Sequence, residues 1–300
     1  MNNKIIKLKP FIKNYLWGGN KLKEYGKKCD DIIAESWEFS IHPDGISIID
    51  SGLNQGMKLD EFVKKNQNVI GNRNEISILI KYIDANKDLS IQVHPNDEYA
   101  IKYENQLGKT EAWFVLETNE NAFIYYGLSR DATKEEIKKR IDDGTLTDIL
   151  NKVYTKPGDC FLIEPGTIHA IGSGNIICEI QKNSNVTYRI FDYNRKDKNG
   201  NLRKLDVDKA LDVINLKKLN MEENKLFTGE CEYFASKYYT VGNDLQLFAD
   251  DNYQVINFID GNGKIDELSF SKGDTFLVPS NYGLFTISGQ CRFIQTIAKI

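Results

Sequence analysis

Short apolar runs, bounded by Gly, Asn, Asp and Pro, recur along the whole chain. Some of these runs alternate apolar with polar residues and others are wholly apolar, and both patterns are typical of strands in a β-sandwich or barrel. The clearest runs lie at residues 76–83, 112–117, 123–126, 160–163, 176–180 and 276–278. The pattern therefore predicts a mainly β protein.

Two longer segments have the periodicity of a helix. In residues 131–151, Thr133 stands three positions before Glu136, which is the spacing of a capping box, and apolar residues follow at helical intervals. Residues 206–219 place four apolar residues on one helical face: Val207, Ala210, Leu211 and Ile214. Both segments are amphipathic, so we expect helices that pack on a sheet.

One pattern occurs twice. Residues 157–163 (PGDCFLI) resemble residues 272–278 (KGDTFLV), and a proline follows each copy. A Gly-Asp turn before an apolar strand is common in β-proteins, so chance would also explain the similarity. Because the copies lie near the ends of two β-rich regions, they suggest two related jelly-roll units. Only the first copy leads to a histidine, His169, so only the first unit can hold a histidine-bound metal.

This repeat predicts the division of the chain. We expect a catalytic jelly-roll domain with helical insertions over residues 1–222. A smaller, metal-free β-domain is expected over residues 223–300, and a length of 300 residues is compatible with two domains.

Composition excludes several classes of partner. The chain has 41% apolar and 27% charged residues and a net charge of −4, the balance of an ordinary globular protein, so we expect no nucleic-acid partner. The N-terminus lacks the long apolar segment of a secretory signal, and no apolar run approaches the roughly 18 residues of a membrane span. We therefore expect a cytoplasmic protein without a membrane partner; the sequence does not indicate an oligomeric state.

Five scattered cysteines form no C-x-x-C pair. This spacing indicates neither a disulfide framework nor a thiolate zinc site, so we expect reduced thiols that lie mostly in the core.

Two of the three histidines lie beside strand-like runs. Gln92 and His94 are two residues apart and share one face of a strand, because side chains alternate along a strand. With Glu111 and His169 they offer an amide oxygen, two imidazoles and a carboxylate, a ligand set that suits zinc. The sequence therefore predicts a metal site at these four residues.

Several short motifs occur in the order found in type I mannose-6-phosphate isomerases. They are LSIQVHP at 89–95, GKTEAW at 108–113, PGTIHA at 165–170 and Thr-Tyr-Arg at 187–189, with YLWGG at 15–19 and AESWE at 34–38 nearer the start. The chain resembles that family, and its shorter bacterial members in particular, over about residues 8–195 and weakly over the remainder. Several motifs at the right separations are far more specific than any one of them.

The resemblance implies a cupin-type jelly-roll fold and one zinc ion per chain, held by Gln92, His94, Glu111 and His169. It places the active-site arginine of the family on Arg189 and its pocket lysines on Lys81 and Lys109. All three cations are expected to bind the substrate, and Arg189 and Lys109 are also expected to act in catalysis. Long members of the family carry an acidic residue four positions before the arginine, where this chain has Asn185, so no acid–base role is assigned there.

The implied reaction interconverts mannose 6-phosphate and fructose 6-phosphate through an enediol-type intermediate. Moving a proton between C1 and C2 places negative charge on the enediol oxygens, which a metal ion and nearby cations stabilise. The phosphate of this small-molecule partner requires fixed cations, which arginine and lysine supply. A pocket lysine, a carboxylate and zinc-bound water all remain possible proton acceptors.

Residues alone leave other interpretations open. Two histidines and one carboxylate on a jelly-roll also describe an iron(II) oxygenase with free positions for dioxygen. A sugar-binding or storage cupin without catalysis is a third possibility, although the presence of the whole metal set together with the pocket lysine and arginine argues against it. For His42, which has no comparable neighbours, we expect a structural or surface role. Trp17, Trp37 and Trp113 are expected to pack in the core.

Overall fold

A computed structural model describes residues 4–193, 195–196, 200–221 and 229–299. These residues form two compact units that interleave along the chain. The first comprises residues 4–14, 20–83 and 229–299, and the second comprises residues 15–19, 84–193, 195–196 and 200–221. The expected division at residue 222 differs from this grouping and stays a prediction about domains. None of the described helices is long and apolar enough to cross a membrane.

Strands dominate the described part of the chain. The strands are β1 (Ile6–Lys9), β2 (Phe11–Lys13), β3 (Glu35–Phe39), β4 (Ile48–Ile49), β5 (Ile78–Ala85), β6 (Ile91–Val93), β7 (Glu111–Thr118), β8 (Phe123–Leu128), β9 (Leu150–Tyr154), β10 (Cys160–Ile163), β11 (His169–Ile171), β12 (Asn175–Lys182), β13 (Tyr188–Phe191), β14 (Phe234–Val241), β15 (Leu245–Ala249), β16 (Gln254–Ile265), β17 (Leu268–Ser271), β18 (Thr275–Val278), β19 (Gly283–Ser288) and β20 (Cys291–Ala298). The α-helices are α1 (Leu59–Lys65), α2 (Asp97–Glu104), α3 (Lys134–Asp142) and α4 (Val207–Val213). Short 3-10 helices lie at Lys21–Tyr25, Gly52–Asn54, Gln67–Ile70 and Leu146–Ile149.

The second unit contains two sets of antiparallel strands. One has the order β10-β7-β12 and the other the order β13-β6-β11-β8-β9. The two sets meet, since the Tyr126 hydroxyl on β8 donates a 2.6 Å hydrogen bond to the Leu162 carbonyl on β10. A buried apolar cluster includes Ile91 on β6, Ile137 on α3 and Ala210 on α4. Both predicted helices therefore pack on the sheet, as their amphipathic patterns require.

The first unit is also built from antiparallel strands. Its main sheet has the order β14-β20-β16-β18-β1-β4; β17 and β19 also pair with β16, and β15 pairs with β19. Strands β2, β3 and β5 pair in that order. The core is rich in aromatic rings, with Phe258 packed against Phe270, Phe276 and Phe293. This arrangement confirms the mainly β fold class.

The six strand-like runs are all strands, with bounds that differ by two residues or fewer from those expected. The helix predicted over residues 131–151 begins as expected, since the Thr133 hydroxyl accepts a 3.2 Å hydrogen bond from the Glu136 amide. Its predicted end was wrong. Helix α3 stops at Asp142, Gly144 has a φ of 71°, and from Leu150 the chain is a strand paired with β8. The helix predicted over 206–219 is also shorter, because the backbone at Ile214 is extended.

The repeated Gly-Asp pattern forms the same turn twice. The Asp159 amide donates a hydrogen bond to the Lys156 carbonyl, and the Asp159 carboxylate accepts one from the Lys156 amide. Asp274 makes the same two hydrogen bonds with Ser271. Gly158 and Gly273 have φ angles of 92° and 91°. The shared geometry supports two related units.

The two turn glycines provide a matched stability test. A Cβ on Gly273 would lie 1.9 Å from the Tyr25 carbonyl oxygen, whereas nothing lies within 4 Å of a Cβ on Gly158. We expect Gly158→Ala to cost about 1–2 kcal/mol of unfolding free energy, from backbone strain alone. Crowding should add about 1–3 kcal/mol in Gly273→Ala. Urea denaturation measures both losses, and equal losses would contradict the crowding at Gly273.

Candidate metal centre

Three buried side chains of the second unit converge on one point. His94 directly follows β6, Glu111 begins β7 and His169 begins β11, and their ligand atoms all lie within 4.8 Å of one another. The Nε2 atom of His94 is 3.5 Å from Oε2 of Glu111, and the Nε2 atom of His169 is 3.4 Å from Oε1. One carboxylate therefore lies between two imidazoles.

Backbone carbonyls orient both imidazole rings. The Nδ1 atom of His94 is 2.9 Å from the Val186 oxygen, and that of His169 is 2.8 Å from the Thr167 oxygen. Because a carbonyl oxygen only accepts, each Nδ1 carries the hydrogen and each Nε2 keeps its lone pair. This is the tautomer that metal-binding histidines adopt when a second group holds the other ring nitrogen.

The electrostatics of the cluster favour a cation. Burial, followed by the positive charge of Lys109, lowers the pKa of His94 to about 4, and burial also lowers the pKa of His169. Burial alone would raise the pKa of Glu111, but Lys109 and His94 more than offset this effect and hold it well below its usual range. At neutral pH the site thus offers two neutral imidazoles and one carboxylate, the protonation states that metal binding requires.

Two ligand atoms lack the partners that buried polar atoms normally have. Nε2 of His94 and Oε1 of Glu111 are buried and make no hydrogen bond within the part of the chain that the structure describes. Buried polar groups are nearly always hydrogen-bonded, so such atoms call for an explanation. A divalent cation would satisfy both, and nitrogen and carboxylate donors suit zinc and related metals. The cluster therefore fits a metal ion.

Gln92 lies on the same face as two other predicted site residues. It is directly opposite His169 on β11 and Arg189 on β13, and its Nε2 is 3.3 Å from Nε2 of His169. Turning the terminal amide by about 180° would exchange its nitrogen and oxygen. Its role as the fourth ligand stays a prediction.

A second carboxylate joins the site through Lys109. The Lys109 ammonium is 2.8 Å from Oε2 of Glu111 and 3.6 Å from Oε1 of Glu179 on β12. Trp113 donates a 3.1 Å hydrogen bond to Oε2 of Glu179, and its ring contacts His169 edge-on. Sequence reasoning missed Glu179, although a lone acid inside an apolar run is a signal of a buried partner.

Arg189 extends the site along β13. Its Nε donates a 3.1 Å hydrogen bond to the Ser90 hydroxyl, and burial, then the charge of Arg203, lowers its pKa. Arg203 and Arg195 both bind the buried carboxylate of Asp192.

In the same unit, a cavity of about 270 Å³ is lined by Leu16, Trp17, Lys87, Arg195, Lys196 and Arg203. Four cations around one small cavity suit an anionic group.

The other predicted residues have local partners. Lys81 lies in the first unit, where its ammonium is 3.8 Å from Oε2 of Glu35 and 4.8 Å from the centre of the Trp37 ring. Its assignment to the substrate pocket stays a prediction. His42 is buried and its Nδ1 accepts the Asp44 amide, which fits a structural role.

The tryptophans and the cysteines differ in how deeply they are buried. All three tryptophans are buried, as expected. The five cysteines are free thiols, but only Cys178 and Cys291 are buried, so the expectation of mostly core thiols was wrong.

Comparison with known proteins gives a consistent result. The family profile of phosphomannose isomerase type I, catalytic domain, matches residues 5–119, and that of mannose-6-phosphate isomerase, cupin domain, matches residues 223–298. Mannose-6-phosphate isomerase ManA of Bacillus subtilis is 35% identical, covering 98% of this chain and 99% of that protein. The mannose-6-phosphate isomerase of Streptococcus mutans is 32% identical over 94% of each chain.

A solved structure agrees with these matches. The crystal structure of the mannose 6-phosphate isomerase from Bacillus subtilis matches with a TM-score of 0.90 and 31% identity, covering 97% of this chain and 99% of that one. The matches confirm the cupin-type fold, and they favour an isomerase over the oxygenase and the non-catalytic cupin. The chain is an enzyme of the type I phosphomannose isomerase family.

Proposed function

We propose that this chain is a zinc-dependent isomerase that interconverts mannose 6-phosphate and fructose 6-phosphate through an enediol-type intermediate. The strongest support is the buried cluster of His94, Glu111 and His169 with Lys109 beside it, because it combines metal-type ligands with a charged proton donor. The relatives named for this reaction are similar over nearly their whole length. We expect the enzyme to act in the cytoplasm on a free sugar phosphate.

The metal assignment follows from the donor set. His94, Glu111 and His169 would hold one zinc ion per chain, with Gln92 as the fourth ligand, and zinc accepts such nitrogen and oxygen donors. When bound, zinc supplies a Lewis acid that stabilises negative charge on a substrate oxygen.

Proton transfer between C1 and C2 requires a group that accepts a proton and returns it. An ionised carboxylate can accept the proton from one carbon and, once protonated, return it to the other carbon. The ammonium of Lys109, paired with Glu111, has no lone pair with which to accept a proton. We therefore assign proton acceptance to Glu179, whose other oxygen Trp113 holds, and assign Lys109 to stabilise the enediol oxygens.

The substrate phosphate requires cations at a distance from the reacting carbons. Arg189 lies opposite Gln92 on the adjacent strand, and Arg195 and Arg203 bind the same Asp192 carboxylate near it. A phosphate carries between one and two negative charges at pH 7, which this group of arginines can balance. We propose that Arg189 contacts the reacting sugar or its phosphate, with Lys81 as a further substrate-binding cation.

The direct test is a coupled assay for fructose 6-phosphate formed from mannose 6-phosphate, with and without dioxygen. We expect turnover in both conditions, loss of turnover after chelation and recovery with zinc. A requirement for dioxygen would favour the oxygenase. Absence of any turnover by zinc-loaded protein would contradict the proposed reaction.

Removing a metal ligand should remove the metal. We expect His94→Ala and His169→Ala to bind zinc at least about a hundredfold more weakly. Loss of a group that only hydrogen-bonds to a metal ligand can already weaken metal binding by about that factor. His42→Ala is the matched control and should keep one zinc per chain. Elemental analysis after dialysis measures the ratio, and full occupancy in His169→Ala would refute the ligand assignment.

Arg189→Lys tests the role of the arginine. We expect this variant to fold and bind zinc but to lose about a hundredfold in kcat, as loss of a preorganised donor typically does. If Arg189 serves only to anchor phosphate, the loss will appear mainly in KM. Arg140→Lys, at an arginine paired with Glu136 on α3, is the control and should leave the kinetics unchanged. Near-normal kinetics for both Arg189→Lys and Arg189→Ala would show that Arg189 has no role in the reaction.

A further inference from the structure

The segment that brings Lys109 into the site is held at four consecutive residues. The Leu107 carbonyl accepts a 2.7 Å hydrogen bond from the Ser184 hydroxyl, and the Gly108 amide donates a 2.8 Å bond to Oδ1 of Asp97. The amide of Lys109 donates to the Pro95 carbonyl, and the Thr110 carbonyl accepts the Lys182 amide. Residues 107–110, hereafter the lysine segment, therefore have little freedom to move.

Asp97 and Lys182 join this segment to two neighbouring elements. Lys182 ends β12, and its side chain is 4% exposed, with the ammonium 2.5 and 2.6 Å from the two oxygens of Asp97. Asp97 is the first residue of α2, where a carboxylate also benefits from the helix dipole. A lysine buried this deeply is costly unless it is paired, so Lys182 depends on the Asp97 carboxylate, whose own side chain is 36% exposed.

The contact between the lysine segment and α2 is too close for any side chain at position 108. A Cβ on Gly108 would lie 2.4 Å from the Asn96 carbonyl carbon and 2.6 Å from the Asp97 amide nitrogen. The segment therefore lies directly against the first turn of α2, and a displacement of Asp97 would be transmitted to it.

We propose that Asp97 and Lys182 are positioning residues that hold Lys109 beside Glu111, and that they act on the reaction only through Lys109. Neither residue supplies a ligand atom to the cluster of His94, Glu111 and His169. The Lys109 ammonium lies 2.8 Å from Glu111, and a shift of about 1 Å in a catalytic group can cost about a hundredfold in rate. This proposal rests on the proposed function, in which Lys109 stabilises the enediol.

The experiment uses the zinc-loaded full chain with Asp97→Asn, Asp97→Ala, Lys182→Met and the double variant Asp97→Ala with Lys182→Met. We expect kcat to fall about ten- to a hundredfold in Asp97→Ala and less in Asp97→Asn, which keeps an acceptor for the Gly108 amide. Zinc per chain should remain one and KM should change little. Because the two residues act as a pair, the double variant should lose no more than the larger single loss.

Amide hydrogen exchange provides a readout that does not depend on turnover. A peptide covering residues 105–112 should exchange about tenfold faster in Asp97→Ala, since the acceptor of the Gly108 amide is lost. The same peptide should exchange faster in Lys182→Met, since Asp97 then loses the ammonium that holds it in place. Glu98→Ala is the matched control, because it removes an exposed acid from the same helical turn and should change neither exchange nor kcat.

Each outcome decides the proposal. Lower kcat at full zinc content, with non-additive losses and faster exchange, supports it. A lower melting temperature with unchanged kcat would make the pair merely structural, and loss of zinc would make it a support of the metal; either overturns the proposal. A wild-type protein without activity would refute the proposed function instead. Even in that case, unchanged amide exchange in both variants would show that Asp97 and Lys182 do not hold the lysine segment, and would overturn the proposal.

Discussion

The buried carboxylate of Glu111 is the interaction on which the site depends. It is fully shielded from solvent, and an ionised carboxylate in that position costs several kcal/mol unless other groups compensate. Lys109 supplies a positive charge at 2.8 Å, and the rings of His94 and His169 present neutral nitrogens to the same two oxygens. A bound cation would complete this compensation, so burial and metal binding favour the same arrangement.

The two sets of antiparallel strands in the second unit make such a site possible. The ligands lie at or next to the ends of β6, β7 and β11, which belong to both sets of strands in the second unit. Backbone carbonyls at Thr167 and Val186 orient the imidazoles. Sites built on strands are held more tightly than sites on loops. In our proposal, the neighbouring ion pair of Asp97 and Lys182 likewise holds the lysine segment, which carries Lys109, in place.

Sequence periodicity predicted the strands well. Side chains in these antiparallel sheets either alternate between a buried and an exposed face or are buried on both faces, and the sequence shows the same two patterns. The donor types of the side chains and the order of the family motifs, rather than periodicity, grouped Glu111 with the two histidines. Periodicity failed beyond Asp142, where Leu146 and Ile149 continue a helical spacing although Gly144 ends the helix. Glu179 was missed because its partners come from other strands, and a long-range pairing leaves no local pattern in the sequence.

The most direct test of the proposed metal centre is anomalous X-ray diffraction at the zinc edge from crystals grown with zinc. We expect one strong anomalous peak per chain, about 2.0–2.2 Å from Nε2 of His94, Nε2 of His169 and a carboxylate oxygen of Glu111. A peak located elsewhere in the chain, or a zinc-saturated crystal without a peak at these three residues, would contradict the proposed centre.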